Sequence, residues 1–175
     1  MAHGQQTNVV AISSGQWRDQ GWSTPATAAE ASAAFTAPRW SRPARAIIAS
    51  VSQWRKWALF TLPVSGAWVD GRVALLGDAA HAMLPFAAQG AAMAIEDAAV
   101  LAGCLGETTD DVAAALNRYS NLRRDRVARV QKLARRNGRI YHLAGPAAAA
   151  RDLTMRLLGG SRLLARQRWI YDWRV

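Results

Sequence analysis

The 175-residue chain is 51% hydrophobic and 19% charged, which excludes an intrinsically disordered class and supplies enough apolar residues for one sizeable core. Its formal net charge of +10 is one-sided: residues 118–175 hold 15 Arg or Lys against 3 Asp, whereas residues 1–117 hold 7 against 9 acidic residues. A single cysteine, Cys104, excludes an internal disulfide, and no eighteen apolar residues run together, so a soluble, cytoplasmic protein without a membrane anchor is expected.

In chain order, Thr7 to Ile12 reads as a strand. Ser23 or Thr24 before Pro25 is a helix start signal, and the Ala-rich residues 25–37 sustain that helix, with Ala29, Ala33 and Phe35 as inward contacts and Pro38 as its end. A short helix follows Pro43, with Ile47, Ile48 and Val51 as its apolar face. The aromatic run around Trp57 to Leu62 favours a strand; Trp54, Trp57 and Trp68 suit either core and turn packing or the wall of an aromatic pocket.

The stretch from Gly71 to Asp97 is the most informative. Val73 to Leu76 reads as a buried strand ending in Gly77-Asp78, which delivers one carboxylate to a crevice. Pro85 stiffens the following loop, and Gln89-Gly90-Ala91-Ala92 opens a helix with little side-chain bulk, whose N–H groups favour anionic or electron-rich ligand atoms. An ordinary strand, turn and buried helix in which Asp78 merely caps is the plain alternative. The helix from Gln89 to Leu105 is apolar nearly all round, interrupted by Glu96 and Asp97. Adjacent helical residues lie about 100° apart, so these carboxylates suit solvent or structural hydrogen bonds better than a catalytic pair.

Gly103 and Gly106 end that helix, and Thr108 or Thr109 with Asp110 and Asp111 starts the next. There Val112, Leu116, Tyr119, Val127, Val130 and Ala134 recur at helical spacing, while Arg123, Arg124, Arg126, Arg129, Lys132, Arg135 and Arg136 read as a solvated or partner-facing basic surface. Breaks are expected at Asn137-Gly138, Gly145-Pro146 and Gly159-Gly160, leaving helices at about 147–158 and 161–171. His3, His81 and His142 show no metal-ligand spacing, and no metal site is assigned.

The residues Gly71-Arg72-Val73, Leu76-Gly77-Asp78-Ala79-Ala80-His81, Pro85, Gln89-Gly90 and the helix through Glu96-Asp97 closely resemble the second flavin-binding motif of the FAD-dependent aromatic hydroxylases. These are single-component flavoprotein monooxygenases that include salicylate hydroxylase. The tail, RNGRIYHLAGP and then RWIYDW, resembles the same family less specifically. The resemblance implies that Asp78 binds the ribityl chain of FAD, that Pro85 borders the space between flavin and substrate, and that Ala91 and Ala92 lie by the pyrimidine edge of the ring. Gly77, Gln89 and Gly90 complete the implied cofactor-binding set; His81 reads as a hydrogen-bond anchor before a base, and no catalytic residue is assigned.

The fold implied is α/β (α+β), the C-terminal part of a Rossmann-like FAD-binding monooxygenase, with a few strands and a mainly helical C-terminal half. Residues 1–70 would be a remnant of the substrate-side domain, 71–106 the second part of the FAD-binding domain, and 107–175 C-terminal helices. The implied reaction uses NAD(P)H as electron donor and dioxygen as oxidant to hydroxylate a small phenolic or salicylate-like ring. No GxGxxG turn for the pyrophosphate occurs in the chain, so a missing N-terminal half is expected. Two other readings stand beside this one: a basic helical module binding nucleic acid, and a structural partner completing a separately encoded flavoprotein half.

Overall fold

The computed structural model describes residues 8–36, 40–107 and 111–174. It divides into two compact units, Met1–Leu59 and Phe60–Val175.

The first unit runs β1 (Ser23–Thr27), α1 (Ala28–Ala34), α2 (Arg42–Ala49) and β2 (Gln53–Trp57). The strands pair antiparallel, with Ser23 opposite Trp57 and Thr27 opposite Gln53. Ser23-Thr24-Pro25 thus opens a strand, not the expected helix; each strand of a two-stranded sheet has a free edge, where proline's missing N–H costs nothing. The helix start signal lies a few residues on, where the Thr27 hydroxyl accepts the Glu30 N–H at 3.2 Å and the Glu30 carboxylate accepts the Thr27 N–H at 2.8 Å. Phe35 and Ile48 are buried, whereas Ala29, Ala33 and Ile47 are exposed. The second strand precedes its expected position, because pairing with β1 sets its register and the ladder stops at Trp57. Residues 8–12 form no strand, having no ladder partner among the described residues; Thr7 and Pro38 lie outside those residues.

The second unit begins with a two-residue hairpin, β3 (Val69–Asp70) and β4 (Val73–Ala74), turning at Gly71 with φ +54°. Then come α3 (Asp78–His81), a 3-10 turn (Pro85–Ala87), α4 (Gly90–Gly106), α5 (Val112–Tyr141), α6 (Gly145–Ala165) and α7 (Arg168–Tyr171). The expected buried strand is short and exposed: Val73 keeps 65% of its surface and Leu75 and Leu76 39% each, since no strand among the described residues covers them. Trp68, Ala80, Met93, Val127 and Val130 form one core cluster, and Val100, Cys104, Ala115 and Tyr119 another. Cys104 is a buried free thiol.

Helix α5 starts at Asp111, whose Oδ1 accepts the Ala114 N–H at 2.9 Å; Thr108 to Asp110 lie outside the described residues. It does not break at Asn137-Gly138 but continues to Tyr141. There the absence of a side chain admits the Phe86 ring, since a Cβ on Gly138 would stand 2.6 Å from a Phe86 ring carbon. Helix α6 starts at the expected Gly145-Pro146 and is interrupted at Gly159, whose φ of +70° and ψ of 161° are not helical, in line with the break expected at Gly159-Gly160; none of its residues is buried. Among the described residues no helix is long and apolar enough to cross a membrane.

Candidate functional site

The chain leaves β4 through Leu75 and Leu76 and turns sharply at Gly77, whose φ of +57° and ψ of −140° suit glycine. Space demands it as well, for a Cβ there would stand 3.1 Å from the Ala94 Cβ of α4. This close approach sets α3 directly against α4. Asp78, the first residue of α3, is exposed, and its Oδ1 lies 4.0 Å from where a Gly90 Cβ would be. One ionisable group therefore stands at the start of the 17-residue helix α4. The Gly90, Ala91 and Ala92 N–H groups precede the first intrahelical bond, made by Met93 to the Gln89 carbonyl, and no side chain caps them. Gln89 is buried, whereas Ala91 is exposed and Gly90 and Ala92 are half-buried.

The Pro85 loop is held from α5. Gln131 Nε2 donates to the Leu62, Ala82 and His81 carbonyls at 2.9, 3.2 and 3.3 Å, and Asn137 Nδ2 donates to the Phe86 carbonyl at 3.0 Å. Pro85 itself is exposed; the loop ends at Ala88, whose left-handed φ of +51° redirects the chain into α4. The structure thus places Gly77, Asp78, Pro85, Gln89, Gly90, Ala91 and Ala92 on two adjoining segments, with Asp78 and Gly90 as their meeting point.

Beneath the site lies an ionic network in which Asp97 is fully buried. Its Oδ2 accepts the Gly77 N–H at 3.0 Å and His81 Nε2 at 2.5 Å, and its Oδ1 accepts Arg123 Nε at 2.8 Å. Burial pushes the Asp97 pKa up, but the bonds from His81, Arg123 and Gly77 outweigh it and hold the carboxyl below its usual range. Arg123 also pairs with Glu96 at 2.8 Å, and Arg126 grips both Glu96 oxygens at 2.7 and 2.6 Å. Both guanidinium centres lie 4.8 Å from the Trp173 ring centroid. Tyr119 donates to the Leu75 carbonyl at 3.0 Å, its pKa raised by burial and then by the Asp97 charge, so the hydroxyl stays a donor.

His81, 1% exposed and bonded to Asp97, is an anchor, and Glu96 and Asp97 are structural. The basic-surface reading of α5 is overturned for Arg123 and Arg126, whose side chains are 0% and 8% exposed. A signal for this was present. Asp97 stands four residues after Met93 and three before Val100, and Arg123 four after Tyr119 and four before Val127, so each carries its charge on an apolar face. Opposite charges on two buried helix faces have to meet.

A family profile described as "FAD binding domain" matches residues 2–134. The architecture is accordingly a partial FAD-binding monooxygenase fold, mostly helical with two small sheets. The chain is 42% identical over 154 residues to 3-amino-4-hydroxybenzoate 2-monooxygenase PtmB3 of Streptomyces platensis, a match covering 87% of this chain and 38% of that protein. It is 37% identical over 157 residues to a salicylate hydroxylase of Pseudomonas putida, covering 88% of this chain and 35% of the other. A solved salicylate hydroxylase substrate complex superposes with a TM-score of 0.71 at 32% identity, covering 91% of this chain and 38% of that one. The chain belongs to the FAD-binding aromatic hydroxylase family, and it spans just over a third of the length of these relatives.

The chemistry of these residues is compatible with part of a flavin: an exposed carboxylate can accept hydrogen bonds from hydroxyl groups, and an uncapped helix start offers N–H donors to an electron-rich atom. The segment that would cradle a pyrophosphate, a GxGxxG turn, is absent from this sequence.

Proposed function

We propose that this chain supplies the ribityl and isoalloxazine side of the FAD site of an NAD(P)H-dependent monooxygenase acting on a phenolic or salicylate-like ring. The observation that carries the reading is the exposed Asp78 carboxylate at the uncapped start of α4, on a turn held by buried Asp97. FAD, reduced by NAD(P)H, supplies the dioxygen chemistry when bound. Asp78 accepts hydrogen bonds from the ribityl hydroxyls, and the Gly90 to Ala92 N–H groups face the ring's electron-rich edge. Pro85 and Gln89 shape the loop between ring and substrate, while Gly77 lets α3 approach α4 closely. On this reading residues 1–70 belong to the substrate side, 71–106 to the flavin site and 107–175 to supporting helices, and the protein works in the cytoplasm. Titrating the purified chain with FAD, followed by flavin fluorescence and then by substrate-stimulated NAD(P)H oxidation, tests it. Binding lost in Asp78→Ala is the expected result, and unchanged binding in that variant refutes the assignment.

A second reading is that the chain works joined to further polypeptide carrying the rest of the dinucleotide site. Val73, Leu75, Leu76 and Ile95 favour it, being 65%, 39%, 39% and 71% exposed around the turn, as if awaiting an apolar covering layer. Co-expression with a polypeptide carrying a GxGxxG turn should then yield a flavin-loaded complex; recovery of the two pieces apart argues against it.

A further inference from the structure

Resting on the flavin reading of Asp78, we propose that Asp97 is a positioning residue, a buried clamp that fixes the flavin-binding turn to helix α4 through both ends of α3. Asp97 is fully buried and offers no exposed surface of its own to a ligand. Through one oxygen it takes the Gly77 N–H, just before Asp78, and His81 Nε2, at the last residue of α3. Since Asp97 and Gly90 sit on one continuous helix, these bonds set where the Asp78 carboxylate stands relative to the helix start. Only a glycine fits this close to Ala94, one turn before Asp97, since a Cβ on Gly77 would stand 3.1 Å from the Ala94 Cβ. Arg123 holds the other oxygen, and Arg126 reaches the same cluster through Glu96, so α5 locks the clamp from behind.

Asn at this position cannot substitute. Asp97 accepts on both oxygens, whereas an amide has a single acceptor oxygen and must turn an NH2 toward either Arg123 or the Gly77 N–H. The charged partner retains the oxygen, and the turn is released. The test uses the full chain and its Asp97→Asn variant, with Arg123→Lys as a milder probe that keeps the cation. Backbone amide exchange is read first, without cofactor. Gly77 exchange should rise about tenfold or more in Asp97→Asn, and less in Arg123→Lys, as expected for losing one hydrogen bond to a charged acceptor. The Val127 and Val130 amides of α5 should keep their protection. FAD titration should then show a weakening of about tenfold in Asp97→Asn, the size expected from a misplaced ligand contact. Unchanged Gly77 exchange overturns the clamp. So does equal acceleration at Val127 and Val130, which marks global destabilisation, or FAD affinity left unaltered in Asp97→Asn when Asp78→Ala loses it. If Asp78→Ala leaves binding intact, the flavin reading beneath has failed; in that case, or where the chain by itself takes up no FAD, Gly77 exchange alone decides whether the clamp exists.

Discussion

Each of the two compact units is stabilised internally by a different kind of polar contact. In residues 1–59 the polar contacts lie in solvent: the Thr27–Glu30 capping box, and Lys56 between Asp19 at 3.3 Å and Glu30 at 3.5 Å. In residues 60–175 the decisive polar contacts are internal, with His81, Asp97 and Arg123 each at most 1% exposed. Water screens the first kind, so each contact adds little. It cannot reach the second, so every partner there is indispensable once the others are buried. The candidate flavin turn is anchored by the second kind, which suits a site whose geometry has to stay fixed.

The sharpest way to break this contrast is Arg123→Ala, which leaves Asp97 buried without its guanidinium and should cost about 3–5 kcal/mol. Chemical denaturation followed by fluorescence of the buried Trp68 measures it; a loss no larger than that of a surface mutation would put the two units on the same footing. Gly77→Ala comes next, at about 1–3 kcal/mol, because it meets both a positive φ and Ala94 at 3.1 Å. Thermal unfolding reads this change, and FAD titration should show a parallel loss.

Acidification acts on the same network. Asp97 has a lowered folded-state pKa, so its contribution is complete above the ordinary carboxylate range and vanishes as pH falls through the depressed folded value. Its facing groups are His81, Arg123 and the Gly77 N–H. Acid unfolding of the second unit should therefore begin below about pH 4, and Asp97→Asn should flatten that slope. In the first unit Thr27→Ala should cost about 1 kcal/mol through the lost cap. Lys56→Gln should leave the melting temperature unchanged, and a measurable drop there would contradict the solvent-screened picture. The nucleic-acid reading predicts steeply salt-dependent DNA or RNA binding; Arg123, Arg124 and Arg126 are already bonded within the protein, and binding that is absent or insensitive to salt would sink that reading.

Local signals were legible where neighbours in sequence are also neighbours in space. Gly77-Asp78, Pro85 and the small-residue start of α4 could be read as one turn, because Gly permits the bend and Pro and Ala restrict or free the loop without distant help. The Gly145-Pro146 start and the end of α4 at Gly106 are of the same sort. Strand positions were not legible in this way. The aromatic run near Trp57 favours extended backbone over many residues, and only pairing with Ser23–Thr27 chose Gln53–Trp57. Asn137-Gly138 has the form of a break, yet the helix runs on to Tyr141, and the glycine instead makes room for the Phe86 ring, distant in sequence.

By itself, then, the amino-acid order determined the family motif, the carboxylate at position 78 and the helix start that faces it, since these depend on contacts within a few residues. Tertiary structure decided which partners Asp97, Arg123 and Glu96 meet. The physical reason is desolvation: an apolar helix face marks a charge for burial, but the partner that compensates it lies some 26 residues away and is fixed only by how α4 packs on α5.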